Sequence, residues 1–222
     1  MNTKLKNLPV CAVSGETPIE ELANFFTHGI GLIISVIGFI FLMGSAFFSE
    51  NIWITISCLI YGVTLVLLFL ASTLYHHCKE IKKKQRLRIF DHTCIYLLIA
   101  GSYTPVIFYT FENSQAILFS IIIWSVACIG IILKMFFTGR FEILSTFLYL
   151  LMGWGCVVVI KDIMDSLQEG FILLMSGGMC YTLGVIFFLW KKLPFNHSIW
   201  HLFVMGGSAC HYCLVTFYIA GA

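Results

Sequence analysis

His197 and His201 stand four residues apart at the start of an apolar stretch, 196–218, that could lie within a membrane. On an α-helix this spacing places two side chains on one face, with their Cβ atoms about 5–6 Å apart. Two imidazoles arranged in this way can bind one metal ion without distortion of the backbone. Ionisable groups at membrane depth are costly and tend to mark functional sites, so the pair predicts a metal site wherever further ligands reach the same depth.

Three more polar residues, Ser72, His76 and Asp91, stand at the ends of other apolar stretches. Ser72 precedes His76 by one helical turn, or about 6 Å of helical rise. Asp91 is the one acid well placed inside an apolar span, where a carboxylate needs a partner, a metal or a proton. Three imidazoles that leave one position open form a catalytic zinc shell. In such a shell Asp91 would orient or deprotonate the water, and Ser72 would add a supporting hydrogen bond.

The same residues also fit a simpler interpretation, in which histidines at helix ends lie among the lipid headgroups and bind no metal. Spacing and depth alone leave both interpretations open. His28 is open in a similar way, since it can pack beside the cluster or bond to a neighbouring helix. His211 stands ten residues beyond His201, about 15 Å further along the helix axis. It is therefore predicted to be a buried, hydrogen-bonded residue that does not share the ion.

Other residues with metal or redox chemistry are given structural roles. His77 and His92 point about 100° away from the predicted site on their helices, and they are predicted to lie at the membrane interface. Cys210 and Cys213 form a C-x-x-C motif inside the last apolar stretch. Redox and zinc motifs of this type need a polar, accessible setting, so these two thiols are predicted to pack against neighbouring helices.

The composition indicates a membrane protein. Of the 222 residues, 59% are hydrophobic and only 11% are charged, whereas a soluble domain carries about 25% charged residues. The charged residues are too few to cover a water-soluble globule. The nine cysteines are scattered singly through the apolar stretches apart from that one pair, so a disulfide framework is not predicted.

Seven apolar spans follow one another with short connections, and each is near the roughly 20 residues that cross a bilayer as a helix. They cover residues 24–48, 52–76, 89–109, 115–137, 142–160, 170–190 and 197–220. The sequence therefore predicts an all-α integral membrane protein with a transmembrane bundle of seven helices. This bundle forms a single domain, 17–222, and a polar cytoplasmic tail, 1–16, precedes it.

Several local signals refine this picture. Thr17 and Glu20 form a capping box at the start of the first helix. The basic segment 77–88 is predicted to be a solvated loop that contacts anionic lipid. Gly206, Gly207 and Ser208 give the last helix a strip of small residues that favours close helix contact.

The positive charges predict the orientation in the membrane. All the lysines and arginines except Lys161 fall in segments that seven crossings place on one side. Cytoplasmic segments are enriched in Lys and Arg, so the N-terminus is predicted in the cytoplasm and the C-terminus outside. This topology brings His76, Asp91 and His197 to the same cytoplasmic boundary, although they are distant in the sequence.

At these residues the chain resembles the hemolysin III family, the bacterial branch of the progestin-and-adipoQ-receptor (PAQR) group. Serine four residues before histidine, a lone aspartate and then H-x-x-x-H form a specific combination. The matching segments span nearly the whole chain in the expected order: ELANFFTHGIG (21–31), FLASTLYH (69–76), FDHTCIYLLIAGSYTP (90–105) and NHSIWHLFVMGGSACHY (196–212).

The resemblance implies a seven-helix bundle in the plasma (bacterial inner) membrane, with Zn²⁺ near its cytoplasmic face. By motif, the metal ligands would be His76, His197 and His201. Asp91 would hold the water of the shell, and Ser72 would support it. Relatives in the wider group include ceramide-cleaving membrane enzymes, which implies hydrolysis of a lipid amide. The family name instead implies lysis of red cells.

Three functions follow from these observations. The first is a membrane-embedded zinc hydrolase with Asp91 as general base, acting on a lipid amide or ester whose long chain enters from the bilayer. The second is a non-catalytic receptor or regulator of membrane lipid or energy state, with structural zinc. The third is a pore-forming hemolysin, which is less favoured because the spans carry no charge through the middle of the membrane. Membrane lipids are the expected partners, and no nucleic-acid partner is predicted.

Overall fold

The computed structural model describes residues 10–221, and every regular element in this part of the chain is helical. The α-helices are, in chain order, α1 (Pro18–Ala46), α2 (Ile52–His77), α3 (Ile81–Thr110), α4 (Asn113–Phe137), α5 (Glu142–Gly153), α6 (Ile160–Leu167), α7 (Phe171–Leu189) and α8 (Asn196–Leu214). Two 3₁₀ segments, Trp154–Val159 and Gln168–Gly170, flank α6, and a π-helical turn, Val215–Ile219, continues α8. The all-α class is confirmed. The first nine residues of the predicted tail, 1–16, lie outside the described residues.

Hydrogen bonds at the first turn explain where α1 begins. The Glu20 N–H donates to Thr17 Oγ1 over 3.3 Å, and the Thr17 N–H donates to the Glu20 carboxylate over 2.9 Å. This confirms the predicted capping box. The helix begins six residues before the predicted span because the cap, rather than the apolar run, determines its start. As a result the polar side chains of Glu21 and Asn24 belong to α1.

Six helical stretches of the described chain are long and apolar enough to cross a membrane. The protein is therefore a multi-pass membrane protein. Five of these stretches match single predicted spans. The other, Glu142–Leu189, is 48 residues long and contains the fifth and sixth predicted spans. Within it, Gln168 has a φ of 48° and interrupts the regular backbone, and α5 packs against α7.

The basic segment 77–88 was wrongly predicted to be a solvated loop. From Ile81 onward it forms the first turns of α3. Lys84 is only 2% exposed, and its ammonium group donates to the Glu21 carboxylate and to the Tyr75 carbonyl, each over 2.9 Å. Lysine and arginine are good helix formers, and the partly buried carboxylate that neutralises Lys84 comes from a helix far away in the sequence. The local charge pattern could not show that partner.

The connection between the fifth and sixth predicted spans is also helical rather than irregular. The short helix α6 buries Ile163 and Leu167, whereas Lys161 and Asp162 are exposed. This amphipathic pattern places its apolar side on the bundle and its charges outward.

Contacts between the helices determine which of their ends lie side by side. α2 packs against both α1 and α3, α7 packs against α8, and α1 also contacts α8. The core contains the fully buried side chains of Tyr61, Leu42 and Leu214. The contact of α1 with both α2 and α8 brings the end of α2 beside the start of α8.

Gly207 allows α7 and α8 to approach closely, as the small-residue strip predicts. A Cβ atom at Gly207 would lie 2.7 Å from the Tyr181 ring, and the Tyr181 hydroxyl is held 3.0 Å from Ser208 Oγ. We expect Gly207→Ala to destabilise the protein by about 1–3 kcal/mol because the ring cannot move away without strain. Thermal unfolding in detergent micelles measures this loss.

Gly44→Ala is the matched control for this prediction. Gly44 lies in α1, where an added Cβ would meet no atom within 4 Å, and alanine there should stabilise the helix by about 0.5–1 kcal/mol. Equal unfolding temperatures for Gly207→Ala and Gly44→Ala would contradict the close contact between α7 and α8.

Candidate metal centre

Three imidazoles from two helices meet near one end of the bundle. His76 comes from the last turn of α2, and His197 and His201 come from the first two turns of α8. One nitrogen from each ring lies within 4.8 Å of the other two. The ring centroids are 5.1 Å apart for His76 with either partner and 4.6 Å apart for His197 with His201. This group could hold a metal ion.

Buried polar atoms without partners support this interpretation. His76 Nδ1 lies 2.9 Å from Glu21 Oε2, whereas His76 Nε2 is buried and has no hydrogen-bond partner among residues 10–221. A buried nitrogen of this kind is costly unless a ligand satisfies it. Ser72 Oγ is likewise buried and has no hydrogen-bond partner among residues 10–221. Imidazole nitrogens are suitable ligands for several divalent metals, including zinc, copper, iron and nickel.

Asp91 and Ser72 face the cavity that His197 and His201 also line. Asp91 is 8% exposed and Ser72 is 1% exposed. Asp91 lies ten residues into α3 rather than at its start, because the helix begins at Ile81. Four of the five predicted residues thus line one cavity, His76 lies outside its lining, and the roles of Asp91 and Ser72 remain predictions.

His28 packs beside the cluster. Its ring stacks on that of His201, with centroids 3.4 Å apart and planes 12° apart. Both of its nitrogens are buried, and neither has a hydrogen-bond partner within the described part of the chain. Of the two arrangements that the sequence left open, the structure shows the first. His211 Nε2 lies 3.3 Å from the Leu174 carbonyl, which agrees with the predicted hydrogen bond, but the residue is only partly buried.

His92 is partly buried, and its location at the membrane interface remains a prediction. Its ring faces the interior, where Nδ1 lies 3.4 Å from the ammonium nitrogen of Lys134. Lys134 is itself 3% exposed. The inward turn of this pair could not be read from α3 alone, because its partner comes from α4. His77 is exposed and its ring contacts Phe25 at a centroid distance of 5.1 Å; its location at the interface remains a prediction.

Two cavities of different character meet at the imidazole cluster. The first is mostly apolar and extends between α3, α5, α7 and α8. Its apolar lining includes Leu68, Ile95, Leu98, Val106, Met175 and Val204. The second is polar and is lined by the segment before α1, by the segment between α7 and α8, and by His76. His197 lines both cavities, so the cluster forms part of the wall between them.

Glu21 and Thr27 are site residues that sequence reasoning missed. Glu21 binds His76, and Thr27 Oγ1 lies 3.0 Å from His201 Nδ1. The acids near residue 20 were interpreted as helix-end groups. A usable signal was present, because positions 21, 24 and 28 follow helical spacing and place Glu21, Asn24 and His28 on one face.

Glu16 in the polar cavity gives a pH-dependent contribution to stability. Burial, together with the neighbouring Glu20 and Glu21, raises the pKa of the Glu16 carboxyl from 4.5 to about 7, against the opposing effect of Lys191. Between these values the folded protein holds more protons than the unfolded chain, so stability falls as pH rises from about 4.5 through about 7. The effect should stay below about 1 kcal/mol because Glu16 is partly exposed.

We therefore expect Glu16→Gln to reduce the loss of thermal stability between pH 5 and about 8. Unfolding temperatures of the wild type and the variant at these two pH values measure the difference. An equal loss in both proteins would mean that Glu16 does not titrate in this range.

The chain matches one known protein family over most of its length. A family model described as "Haemolysin-III related" matches residues 17–212, which includes all the residues of the cluster.

Similar full-length proteins occur in bacteria and in animals. "Hemolysin-3 homolog" of Bacillus subtilis (strain 168) is 46% identical over 200 residues, which is 90% of this chain and 94% of the relative. "Hemolysin-3" of Bacillus cereus is 46% identical over 201 residues, covering 90% and 92%. "Monocyte to macrophage differentiation factor" of Homo sapiens is 33% identical over 213 residues, covering 91% and 86%.

Proposed function

Since this chain belongs to the haemolysin III-related family, we propose that it is a zinc-dependent hydrolase that cleaves an amide or ester bond of a long-chain lipid. The main support for this proposal is the position of the imidazole cluster. The imidazole cluster lies on the wall between an apolar cavity and a polar cavity, with Asp91 and Ser72 facing the apolar one.

In this proposal His76, His197 and His201 hold the zinc. Zinc in such a site supplies a Lewis acid that polarises a carbonyl and makes water nucleophilic at neutral pH. Asp91 accepts the proton of the attacking water and later delivers it to the leaving group. The Ser72 hydroxyl, which is buried and unpartnered among residues 10–221, supports the groups around the ion by hydrogen bonding.

The two cavities divide the substrate by polarity. The apolar cavity has the lining that an acyl chain needs, since it is formed by aliphatic and aromatic side chains of α3, α5, α7 and α8. The polar cavity carries Arg88, Lys191 and Lys192 and suits water and a polar headgroup. The scissile carbonyl would then lie beside the imidazoles.

The proposal includes seven crossings of the plasma membrane, with the N-terminus in the cytoplasm. The 48-residue stretch Glu142–Leu189 has enough length for two crossings of about 20 residues each. Its interruption at Gln168 and the packing of α5 on α7 support a reversal there. Reporter fusions at positions 80 and 195 should report the cytoplasm, and a fusion at 168 should report the outside. Fusions at 80 and 195 on opposite sides would refute this topology.

Purified protein provides the direct test of hydrolysis. With zinc added, the protein in micelles should release labelled fatty acid from ceramides or from other long-chain acyl amides and esters, and chelation should stop the release. Absence of turnover with all these substrates would contradict the enzymatic proposal.

A regulatory function with structural zinc is the second candidate. The human relative is named "Monocyte to macrophage differentiation factor", a name that describes a role in differentiation rather than a reaction. In this case zinc would join α2 to α8, chelation would lower thermal stability, and no substrate would be consumed. The bacterial name "Hemolysin-3" points to lysis, which release of dye from liposomes by purified protein would show.

A further inference from the structure

We infer that α1 provides two positioning residues for the metal centre, Glu21 for the His76 imidazole and Thr27 for the His201 imidazole. This inference deepens the proposed function and rests on its zinc site. Each of the two residues contacts the Nδ1 atom of its histidine, which leaves the Nε2 atom of each ring for the metal.

The Glu21 carboxylate is held by groups from three directions. Its Oε2 atom lies 2.9 Å from His76 Nδ1. Its Oε1 atom accepts from the Lys84 ammonium group over 2.9 Å and from the Ser14 hydroxyl. Lys84 is 2% exposed and donates also to the Tyr75 carbonyl. The carboxylate is therefore fixed by groups outside the metal centre.

These contacts determine the tautomer of His76. An ionised carboxylate can only accept hydrogen bonds, so the proton of the neutral His76 ring must lie on Nδ1, which faces Glu21. The lone pair then lies on Nε2, the buried atom that has no hydrogen-bond partner in residues 10–221. A histidine that binds a metal through one nitrogen and a carboxylate through the other has a fixed ring orientation and a more basic ligand atom.

Thr27 determines the tautomer of His201 by the same reasoning. Its hydroxyl oxygen lies 3.0 Å from His201 Nδ1, and it also lies 3.0 Å from the Ala23 carbonyl and 2.9 Å from the Asn24 carbonyl. The single hydroxyl proton goes to a backbone carbonyl, as is common for threonine within a helix. Thr27 Oγ1 then accepts a hydrogen bond from the Nδ1 proton of His201. The lone pair of His201 Nε2 is therefore free to bind a metal.

Neighbouring residues on the same face of α1 hold the start of α8 in place. Asn24 Oδ1 accepts a hydrogen bond from the Ser198 hydroxyl, which is next to His197. One turn later His28 stacks on His201. The polar face of α1 thus follows α8 over its first two turns, and this explains why a helix that contributes no predicted ligand carries buried polar residues at this end.

Loss of either positioning residue should weaken zinc binding without loss of a ligand. We expect Glu21→Gln and Thr27→Val each to lower zinc affinity by about 10- to 100-fold, the range found when outer hydrogen-bond partners of metal-binding histidines are removed. Thr27→Ser keeps the hydroxyl and should restore wild-type affinity. Competition of the purified protein with a fluorescent zinc chelator measures these affinities.

Matched controls separate positioning from general damage. Thr73→Val removes the hydroxyl of a buried threonine, which donates to the Phe69 carbonyl of its own helix, and Glu50→Gln removes an exposed carboxylate near the other end of α1. Both should bind zinc like the wild type. The absorption spectrum of the Co²⁺-substituted protein provides a second readout, since altered ring orientation should change the visible bands.

The outcomes distinguish this inference from the function on which it rests. If wild-type protein does not bind zinc, the zinc site itself fails. If wild type binds zinc and Thr27→Val and Glu21→Gln lie within about twofold of it, below the range expected for such partners, the positioning role of α1 is refuted. Because Thr27→Val is nearly isosteric, comparison with Thr27→Ser decides the question for His201 even if Glu21→Gln does not fold.

Discussion

Replacement of His201 by alanine is expected to weaken zinc binding by about 100- to 1000-fold. Zinc binding to a structural site is worth about 10–16 kcal/mol, or about 2.5–4 kcal/mol for each of four ligands, and each 1.4 kcal/mol is a factor of ten in affinity. His201 is 1% exposed and its ring contacts His28 and Thr27, so no water or side chain can easily replace it. Elemental analysis of purified protein after dialysis measures the loss.

His211→Ala is the appropriate control for this substitution. His211 lies on the same helix, lines the same apolar cavity and makes one hydrogen bond, to the Leu174 carbonyl. Its replacement should lower thermal stability but leave zinc content unchanged. Equal zinc content in His201→Ala and wild type would show that the imidazole cluster is not the metal site.

Replacement of Asp91 by asparagine should lower lipid hydrolysis by about 100- to 10,000-fold, the usual contribution of a general base. Asparagine has the same shape as aspartate but cannot accept a proton at neutral pH. Zinc content should remain at the wild-type level, because the three imidazoles are intact. Turnover of the best labelled acyl amide and zinc content should be measured on the same preparation.

The pair of variants also distinguishes an enzyme from a regulator. An enzyme loses turnover with either Asp91→Asn or His201→Ala, whereas structural zinc tolerates the aspartate change better than the histidine change. Asp162→Asn, an exposed acid in α6, controls for the loss of charge. Turnover in Asp91→Asn equal to that of Asp162→Asn would exclude Asp91 as the base.

The sequence was sufficient to predict the imidazole cluster, because its geometry follows from helical spacing and from the alternation of spans. The H-x-x-x-H pair fixes His197 and His201 on one face, and the alternation brings His76 to the same end. Both rules are independent of side-chain packing, and the 4.8 Å grouping of the three nitrogens agrees with them.

The rest of the site could not be predicted because it depends on pairs of side chains from different helices. Lys84 was predicted to lie in a solvated basic loop. The Glu21 carboxylate that neutralises it belongs to a different helix, α1, so the local sequence does not reveal this pair. The contact of His92 with Lys134 likewise depends on a second helix, α4. The extent of α3 was missed for the same reason, since the carboxylate that pairs with the buried Lys84 in its first turn is remote in the sequence.

The imidazoles lie on the wall between the two cavities. A lipid hydrolase with this arrangement would therefore separate its two products by polarity as soon as the bond is cleaved. A released fatty acid would remain in the apolar cavity, among Leu98, Val106 and Val204, and would diffuse from there into the bilayer. The released amine or alcohol would lie in the polar cavity, near Lys191 and Lys192. Separated in this way, the two fragments would have little opportunity to recombine.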